Sequence, residues 1–199
     1  LAMTDKIKNK DAFYPWLFDR LLQLGRYDHA EYILDRISDT ALRRWKEYEL
    51  AARRVQWKKC VEILTGIMAG DQARSRQAMK TLADIYRDRT RQYDEALKFY
   101  AMIDEPPGTA FAIAYTYQLK GDSKRSAETY TEVENFFPDQ AAEAAWRRGE
   151  MYRGFKMQEQ AVAEYRRILK VYPKSGQSSR AHQRLEDYGI ATGGGVIEK

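Results

Sequence analysis

The sequence has few of the residues from which catalytic, metal-binding and disulfide-linked sites are built. Among its 199 residues are one cysteine, Cys60, and two histidines, His29 and His182. A single cysteine excludes an internal disulfide framework. Neither histidine has a cysteine or a paired carboxylate at the spacing of metal ligands, and no nucleophile–base set can be recognised. The sequence therefore predicts a non-enzymatic protein with no catalytic residue, no metal ion and no cofactor.

Long apolar runs are also missing. No stretch reaches the roughly 18 apolar residues that a membrane-spanning helix needs, and no signal peptide is visible. The lone cysteine slightly favours a reducing compartment, hence the cytoplasm. A bacterial periplasm stays open as the alternative, on the condition that a native signal peptide has been removed.

The charge is mildly basic but not concentrated. The 34 Lys and Arg residues exceed the 29 Asp and Glu residues, which gives a net charge of +5. Basic pairs such as Arg43-Arg44, Arg147-Arg148 and Arg166-Arg167 place adjacent residues in different directions on a helix, so we expect a solvated surface. A nucleic-acid interface would show a dense basic stripe instead. We expect no nucleic-acid partner.

What the sequence does contain is a repeated helical pattern. A small residue is followed after four residues by an aromatic or aliphatic one, and after three more by an aliphatic one. The pattern occurs five times, beginning at Ala30, Cys60, Ala96, Ser126 and Ala161. The intervals are 30, 36, 30 and 35 residues (60−30, 96−60, 126−96, 161−126). A period in this range indicates stacked helix–turn–helix units.

The last two units match each other most closely. Ala114, Tyr117, Tyr130 and Pro138 of the fourth unit reappear 35 residues later (149−114), at Gly149, Tyr152, Tyr165 and Pro173. Small residues at these positions allow two helix backbones to approach, and aromatic neighbours fill the space between units.

The pattern also divides the chain. We expect residues 1–10 to be a flexible lead-in, with Asp11 as the N-cap of the first helix and Pro15 in its first turn. Residues 11–188 form the repeat domain, which ends in a mostly polar capping helix over 175–188. Residues 189–199, with three consecutive glycines, are predicted to be a flexible tail.

These landmarks resemble the tetratricopeptide repeat (TPR) family of bacterial type, most strongly over residues 142–173. The resemblance implies an all-α fold, a right-handed α-solenoid of about five helix–turn–helix repeats with a C-terminal capping helix. It also implies a protein–protein interaction scaffold. The second unit departs from the family pattern, because bulky Tyr48 stands where a small residue is expected.

In this family the first helix of each repeat lines a concave groove, and the resemblance carries that role to particular residues. The implied partner-binding residues are Trp45, Lys80, Asp84, Arg87, Phe111, Tyr115, Trp146, Glu150 and Arg153. For the aromatic residues, and for Trp45 above all, packing inside the repeat is the alternative. A groove with aromatic side chains and arginines suits a partner peptide with apolar and acidic side chains.

Three more specific functions can be compared with this pattern. Some relatives hold the C-terminal carboxylate of chaperones with paired Lys and Asn side chains, but here Phe111 and Tyr115 occupy such places and only Lys80 fits. A self-assembling scaffold, formed by stacked terminal units or by a tail in a neighbour's groove, stays open. A cell-envelope assembly factor of a bacterium also stays open, since the phrases at residues 137–139 and 172–175 resemble repeats of such proteins.

Overall fold

The computed structural model describes residues 9–103 and 105–190, and most of this part of the chain is helical. It contains no strand, which confirms the all-α fold class. Its eleven α-helices are α1 Lys10–Gln23, α2 Tyr27–Leu34, α3 Thr40–Arg53, α4 Trp57–Gly70, α5 Gln72–Asp88, α6 Tyr93–Met102, α7 Gly108–Lys120, α8 Ser123–Phe136, α9 Ala141–Gly154, α10 Gln158–Val171 and α11 Gly176–Asp187. A short 3-10 helix, Pro138–Gln140, precedes α9.

The helices alternate between two kinds. We call the odd-numbered helices A-type and the even-numbered helices B-type. The hairpins α1–α2, α3–α4, α7–α8 and α9–α10 each pack an A-type helix against the B-type helix that follows it. The B-type helices α2, α4, α8 and α10 also pack against the next A-type helix. Each of these hairpins therefore shares its apolar surface with a neighbour, as in a helical repeat.

The chain divides into two compact units, residues 1–99 and residues 100–199. In the N-terminal unit one core cluster surrounds Phe18 and Ala30, and a second surrounds Cys60, Leu64 and Leu82. The small residues that open the first three repeats, Ala30, Cys60 and Ala96, are completely buried. Their burial follows from helix contact, because a larger side chain there would hold the paired helices apart.

The C-terminal unit has its own core. Ala161, Tyr165 and Ile168 of α10 pack with side chains of α9 and α11, and Ala114 and Tyr130 pack with Met151. Ser126 and Gly149 are also buried, Tyr152 is half-buried, and Pro173 is exposed after the end of α10. A Cβ atom on Gly149 would lie 2.8 Å from Cε1 of Tyr165. The backbone of α9 thus needs a residue without a side chain at this contact.

All five hairpin turns contain one residue in the left-handed region of backbone conformation. These residues are Gly25, Val55, Arg91, Gly121 and Lys156, with φ between 55° and 91°. Each lies five residues before the buried small residue of its B-type helix, as in 30−25 and 161−156. The turn and the start of the B-type helix therefore have the same length in every repeat. Three of the five are not glycine, so glycine alone does not mark the turns.

The first helix begins earlier than the sequence predicts. Asn9 is the N-cap of α1, and its side chain accepts a hydrogen bond of 3.1 Å from the backbone N–H of Ala12. Asp11 lies inside the helix and accepts a hydrogen bond from Ser38 instead. Pro15 therefore lies in the interior of α1 and not in its first turn. The prediction for these two residues was wrong.

The ends of the domain are described only in part. The capping helix α11 starts after Ser175, whose side chain caps it, and its C-cap is Tyr188. Most of the predicted lead-in and tail, residues 1–8 and 191–199, lies outside the described residues. The proposed domain limits stay a prediction.

Candidate partner-binding surface

In the N-terminal unit, two predicted binding residues differ sharply in exposure. Trp45 is half-buried against the second core cluster, and its ring centroid lies 5.3 Å from that of Tyr48. The two rings pack together against the core cluster that contains Cys60 and Leu64 of α4. Lys80 is exposed on α5.

Arg87 and Asp84 form a charge cluster one turn further along α5. The guanidinium group of Arg87 binds Asp84 at 3.1 Å and Asp88 at 2.7 Å. Hydrogen bonds from Arg87 lower the pKa of Asp88, against the opposing effect of burial. Two carboxylates surround one guanidinium group, so this part of α5 carries no local excess of positive charge. It can present acidic side chains as well as a basic one.

In the C-terminal unit, α7 has an apolar stripe at helical spacing. Phe111 is half-buried, 6.2 Å from the ring of Tyr130, and the guanidinium carbon of Arg147 lies 4.6 Å from its ring centroid. One and two turns further, Tyr115 is 41% exposed and Leu119 is 38% exposed. The stripe thus runs from a ring covered by an arginine to two side chains that water reaches.

The predicted residues of α9 meet a residue that sequence reasoning missed. Trp146 packs against Tyr165 at 5.7 Å, and Arg184 of α11 lies 5.9 Å from its ring. Glu150 accepts hydrogen bonds from Tyr165 Oη at 2.6 Å, Arg153 at 2.9 Å and Arg184 at 3.0 Å. Arg184 therefore joins Trp146, Glu150 and Arg153 in one cluster.

This cluster balances its two arginines with two carboxylates, because Arg184 binds Asp187 at 3.2 Å as well as Glu150 at 3.0 Å. Burial raises the pKa of Glu150, but the hydrogen bonds from Arg184, Tyr165 and Arg153 outweigh burial and lower it. Glu150 is therefore ionised at neutral pH and, together with Asp187, offsets the charges of Arg153 and Arg184. Arg153 keeps 46% of its side chain exposed. This exposed part of Arg153 can donate a hydrogen bond to an anionic group of a partner.

Arg184 could have been found from the sequence only by its spacing. It follows Glu150 by 34 residues (184−150), close to one repeat, which places it on the next A-type helix. A capping role for α11 explains its apolar side chains but gives no reason to expect Arg184 beside Glu150.

A second ionic network lies behind this surface and corrects one prediction. Arg148 is buried and binds Glu134 of α8 at 2.8 Å and Glu164 of α10 at 2.7 Å. Arg167 binds the same two carboxylates, and Tyr172 donates a hydrogen bond to Glu134. The expectation that Arg147-Arg148 is a solvated pair was wrong for Arg148, because its side chain points between three helices.

Metal binding and thiol chemistry depend on the His, Cys, Asp and Glu side chains of the described residues. They contain no group of three or more His, Cys, Asp or Glu side chains that could hold a metal ion. Cys60 is a buried free thiol, and burial raises its pKa. In the same residues, no helix is both long and apolar enough to cross a membrane.

Comparisons with known proteins agree with this helical-repeat architecture. Residues 143–175 match the model of the tetratricopeptide repeat family. The chain is similar in structure to nearly identical TPR-like repeats from Podosopora anserina, with a TM-score of 0.60, 15% identity and coverage of 86% of this chain and 99% of that one. It is also similar to the C-terminal part of a TPR repeat-containing protein from Cytophaga hutchinsonii, with a TM-score of 0.69, 11% identity and coverage of 94% and 77%.

A third similar structure is that of YrrB, described as a TPR protein with an unusual peptide-binding site. Its TM-score is 0.53 at 15% identity, with coverage of 88% of this chain and 94% of that one. At these identities the structural likenesses establish the fold alone. A comparison of the sequence with curated proteins gives no significant match.

Proposed function

Because this chain is a tetratricopeptide-repeat protein, we propose that it binds a segment of a partner protein on the A-type helices of its C-terminal unit. The TPR fold is generally a protein–protein interaction scaffold, and proteins of this kind are typically non-enzymatic. We assign this general role to one surface, and we specify the side chains that the partner segment needs. The partner segment has an apolar side chain next to an acidic one.

The observation that carries the proposal is the exposed apolar stripe on α7, in the same unit as the half-exposed guanidinium group of Arg153 on α9. Tyr115 and Leu119 present apolar surface at adjacent turns, and Arg153 presents a partly neutralised positive charge. Aromatic residues and arginine are the types that most often dominate the free energy of protein–protein binding. An extended or helical peptide with apolar and acidic side chains complements both features.

The other predicted residues have supporting parts in this proposal. Trp146 and Glu150 hold Arg184 and Arg153 in place, so their contribution is to position the basic groups. Phe111 underlies the stripe, where Arg147 covers its ring. In the N-terminal unit, Trp45, Lys80, Asp84 and Arg87 stay predicted contacts.

The test is affinity capture from a lysate of the source organism with matched variants. Tyr115→Ala/Arg153→Glu removes one aromatic ring and reverses one charge at exposed positions. Val171→Ala/Arg166→Glu makes a similar change at exposed positions of α10. We expect the partner to be retained by the parent and the α10 variant and to be lost by the Tyr115/Arg153 variant, with all three proteins melting alike. Equal retention by both variants would refute the proposed site.

Self-assembly by stacking of C-terminal ends gains no support from α11. The exposed side chains of this helix are polar, namely Ser179, Arg180, Gln183, Glu186 and Asp187. A polar outer face is the usual property of a terminal capping helix. Self-assembly, if it occurs, must use another surface.

A further inference from the structure

An open cavity lies between the B-type helices α8 and α10 of the C-terminal unit. Its volume is about 640 Å³, which is within the range of small binding pockets, roughly 300–1,000 Å³. The cavity is lined by α8 over residues 123–132, by Tyr152 of α9 and by Met157 and Gln160 at the start of α10. Tyr115 and Arg153, the residues proposed to contact an acidic segment, do not line it. The cavity is therefore a second candidate site in this unit.

Part of the cavity wall is apolar. Ala127, Tyr152 and Met157 are half-buried in this wall, and the first two also pack against the core cluster around Tyr130. Because the side chain of Ala127 is a single methyl group, space that a longer side chain would occupy stays open between the two helices. An apolar group of a partner can pack there without displacing any part of the core.

The first two repeats have a cavity at the corresponding place, with a volume of about 720 Å³. The two places are aligned on buried small residues and on left-handed turn residues, Ala30 with Ser126 and Val55 with Lys156. Three lining positions then correspond, Glu31 to Ala127, Gln56 to Met157 and Lys59 to Gln160. The same place between consecutive repeats therefore has a different lining in the two units.

In the cavity of the N-terminal unit, ion pairs cross the junction between the repeats. Arg54 reaches from the end of α3 to Glu31 and Asp28 of α2, each at 2.7 Å. At the corresponding positions the C-terminal unit has Phe155 for Arg54 and Ala127 for Glu31. Two ionic groups that satisfy each other in one cavity are thus replaced by apolar residues in the other.

The rim of the C-terminal cavity carries two carboxylates that have no ion-pair partner among the described residues. Glu128 and Glu132 are exposed and lie one turn apart on α8. The basic residue of the lining is Lys124, so the lining has a net charge of −1 (1−2). The N-terminal cavity has a net charge of +1 (3−2), from Arg54, Lys58, Lys59, Glu31 and Glu62. The two cavities therefore favour ligands of opposite charge.

Two neighbouring arginines are already bound to other carboxylates. Arg125 of α8 pairs with Asp122. Arg148 donates a hydrogen bond to Thr131 of the lining, but the buried ionic network holds its charge. The carboxylates of the rim stay available to a cation from another molecule.

We propose that this cavity binds a segment of a partner protein in which an apolar side chain stands next to a basic one. The apolar side chain packs on Tyr152 and Met157, and the basic group donates hydrogen bonds to Glu128 and Glu132. Arginine suits both parts, because its guanidinium group has several donors and its stem can lie on apolar surface. The volume of the cavity leaves room for more than one side chain.

The basic segment is a ligand in addition to the acidic one proposed above. Its binding does not require the surface of α7, because the cavity is lined chiefly by α8 and α10. A segment with acidic side chains would be repelled by the two carboxylates of the rim, so the cavity discriminates between the two kinds of segment.

A nuclear magnetic resonance titration of the full chain with a capped pentapeptide, Leu-Arg-Leu-Arg-Leu, tests the cavity. We expect the largest shifts in the backbone amide signals of residues 123–132 and 157–160. A matched peptide in which both arginines are glutamates should bind at least about tenfold more weakly. Binding of the arginine peptide should also weaken as sodium chloride is added, because the carboxylates are exposed.

Two variants test the two parts of the site. Glu128→Gln/Glu132→Gln removes both carboxylates and should weaken binding of the arginine peptide about tenfold or more. Its matched control, Glu47→Gln/Glu62→Gln, removes two carboxylates of the N-terminal unit and should bind as the parent does. Ala127→Leu fills the apolar part of the cavity and should also weaken binding. Thermal melting checks that each variant is folded.

The variant Tyr115→Ala/Arg153→Glu should bind the arginine peptide as the parent does. Loss of the captured partner in that variant and loss of the peptide in the Glu128/Glu132 variant are independent results. Failure of the one proposed site is therefore distinguishable from failure of the other.

Four results would overturn the proposal. The first is no shift of the signals of α8 and α10 when the arginine peptide is added, and the second is equal affinity of the parent for the two peptides. The third is an unchanged affinity of the Glu128/Glu132 variant. The fourth is binding of butylguanidinium alone as tightly as the peptide, since the cavity would then recognise a small cation and not a protein segment.

Discussion

At the scale of single residues, the hairpin turns contain local backbone strain that could not be predicted from the residue types. Val55, Arg91 and Lys156 adopt the left-handed conformation, with φ of 60°, 55° and 60°. This conformation costs an ordinary residue roughly 1–2 kcal/mol and costs a β-branched residue most, because Cβ approaches the backbone. The surrounding helices impose it nonetheless, because every hairpin needs the same reversal.

Val55 offers the clearest test of this strain. Val55→Gly should increase the free energy of unfolding by about 0.5–1 kcal/mol, since relief of the left-handed strain exceeds the greater entropy of the unfolded glycine chain. The side chain is 64% exposed, so little packing is lost. Urea denaturation measures the change. The converse substitution Gly121→Val, at φ 91°, should be destabilising. An unchanged or lower stability of Val55→Gly would contradict the account.

Gly149 tests the close contact between α9 and α10. Gly149→Val should lower the free energy of unfolding by about 1–3 kcal/mol, because its side chain would overlap the ring of Tyr165. Gly154→Ala is the matched control in the same helix, where an added Cβ meets nothing within 4 Å. That control should gain about 0.5–1 kcal/mol from helix propensity. Thermal melting of the two variants in opposite directions would support the contact, and melting in the same direction would contradict it.

At the scale of helices, the buried ionic network joins three elements of the C-terminal unit. Arg148 of α9 lies between Glu134 of α8 and Glu164 of α10, and all three side chains are at most 10% exposed. Removing one partner of a buried network leaves uncompensated charge, which commonly costs 3–5 kcal/mol. Arg148→Ala should therefore lower the free energy of unfolding by about 3 kcal/mol in urea denaturation. Arg147→Ala, which changes the exposed neighbour, should cost less than about 1 kcal/mol. Equal effects of the two would refute a special role for the buried residue.

The same network predicts a dependence of stability on pH. Burial raises the pKa of Glu134, but hydrogen bonds from Tyr172 and Arg167 and the charge of Arg148 outweigh it and hold the pKa below the ordinary value of 4.5. A carboxylate with a lowered folded-state pKa contributes stability that is fully present above its unfolded pKa and is lost as pH falls through the folded pKa.

We therefore expect the stability from Glu134 to be constant near pH 7 and to decline below about pH 4.5. Glu134→Gln should reduce this acid-side decline and lower stability at pH 7. The measurement is urea denaturation at a series of pH values. A variant whose stability falls with acid as steeply as that of the parent would show that Glu134 contributes nothing to the decline.

At the scale of the whole molecule, stability in a repeat protein is a sum of local terms. Ala161 is completely buried in the core of the C-terminal unit. Ala161→Glu forces a charge into that helix contact and should cost several kcal/mol. In hydrogen exchange, amides of α9, α10 and α11 should lose protection, whereas those of α1 to α4 should exchange as in the parent. Loss of protection throughout the chain would contradict this local behaviour.

The repeats could be predicted from the sequence, because a helical period is recognised from the positions of small, apolar and polar residues alone. The frame that begins at Ala30, Cys60 and Ala161 predicted the buried positions of the B-type helices. The frame could not predict that Arg148 is buried or that Arg184 covers Trp146. Both depend on the register between helices that are many residues apart, and a period of 30 to 36 residues does not specify that register. For the same reason the roles of individual binding residues stay predictions.

We call the segment from each left-handed turn residue to its buried small residue the hairpin tip. The constant length of the tips distinguishes them from the parts of the chain that tolerate inserted residues. The turn residue and the small residue are five positions apart in every repeat, although the intervals between repeats differ by up to six residues (36−30). All of the length variation therefore falls outside the hairpin tips. The longest interval has only Asp71 between α4 and α5, so the variation lies in the lengths of the helices. Inserted residues, affinity tags or fluorescent labels therefore belong at the ends of the hairpins opposite the tips, such as after Phe136. One extra residue within a tip would rotate the following helix by about 100° and turn its apolar face to water.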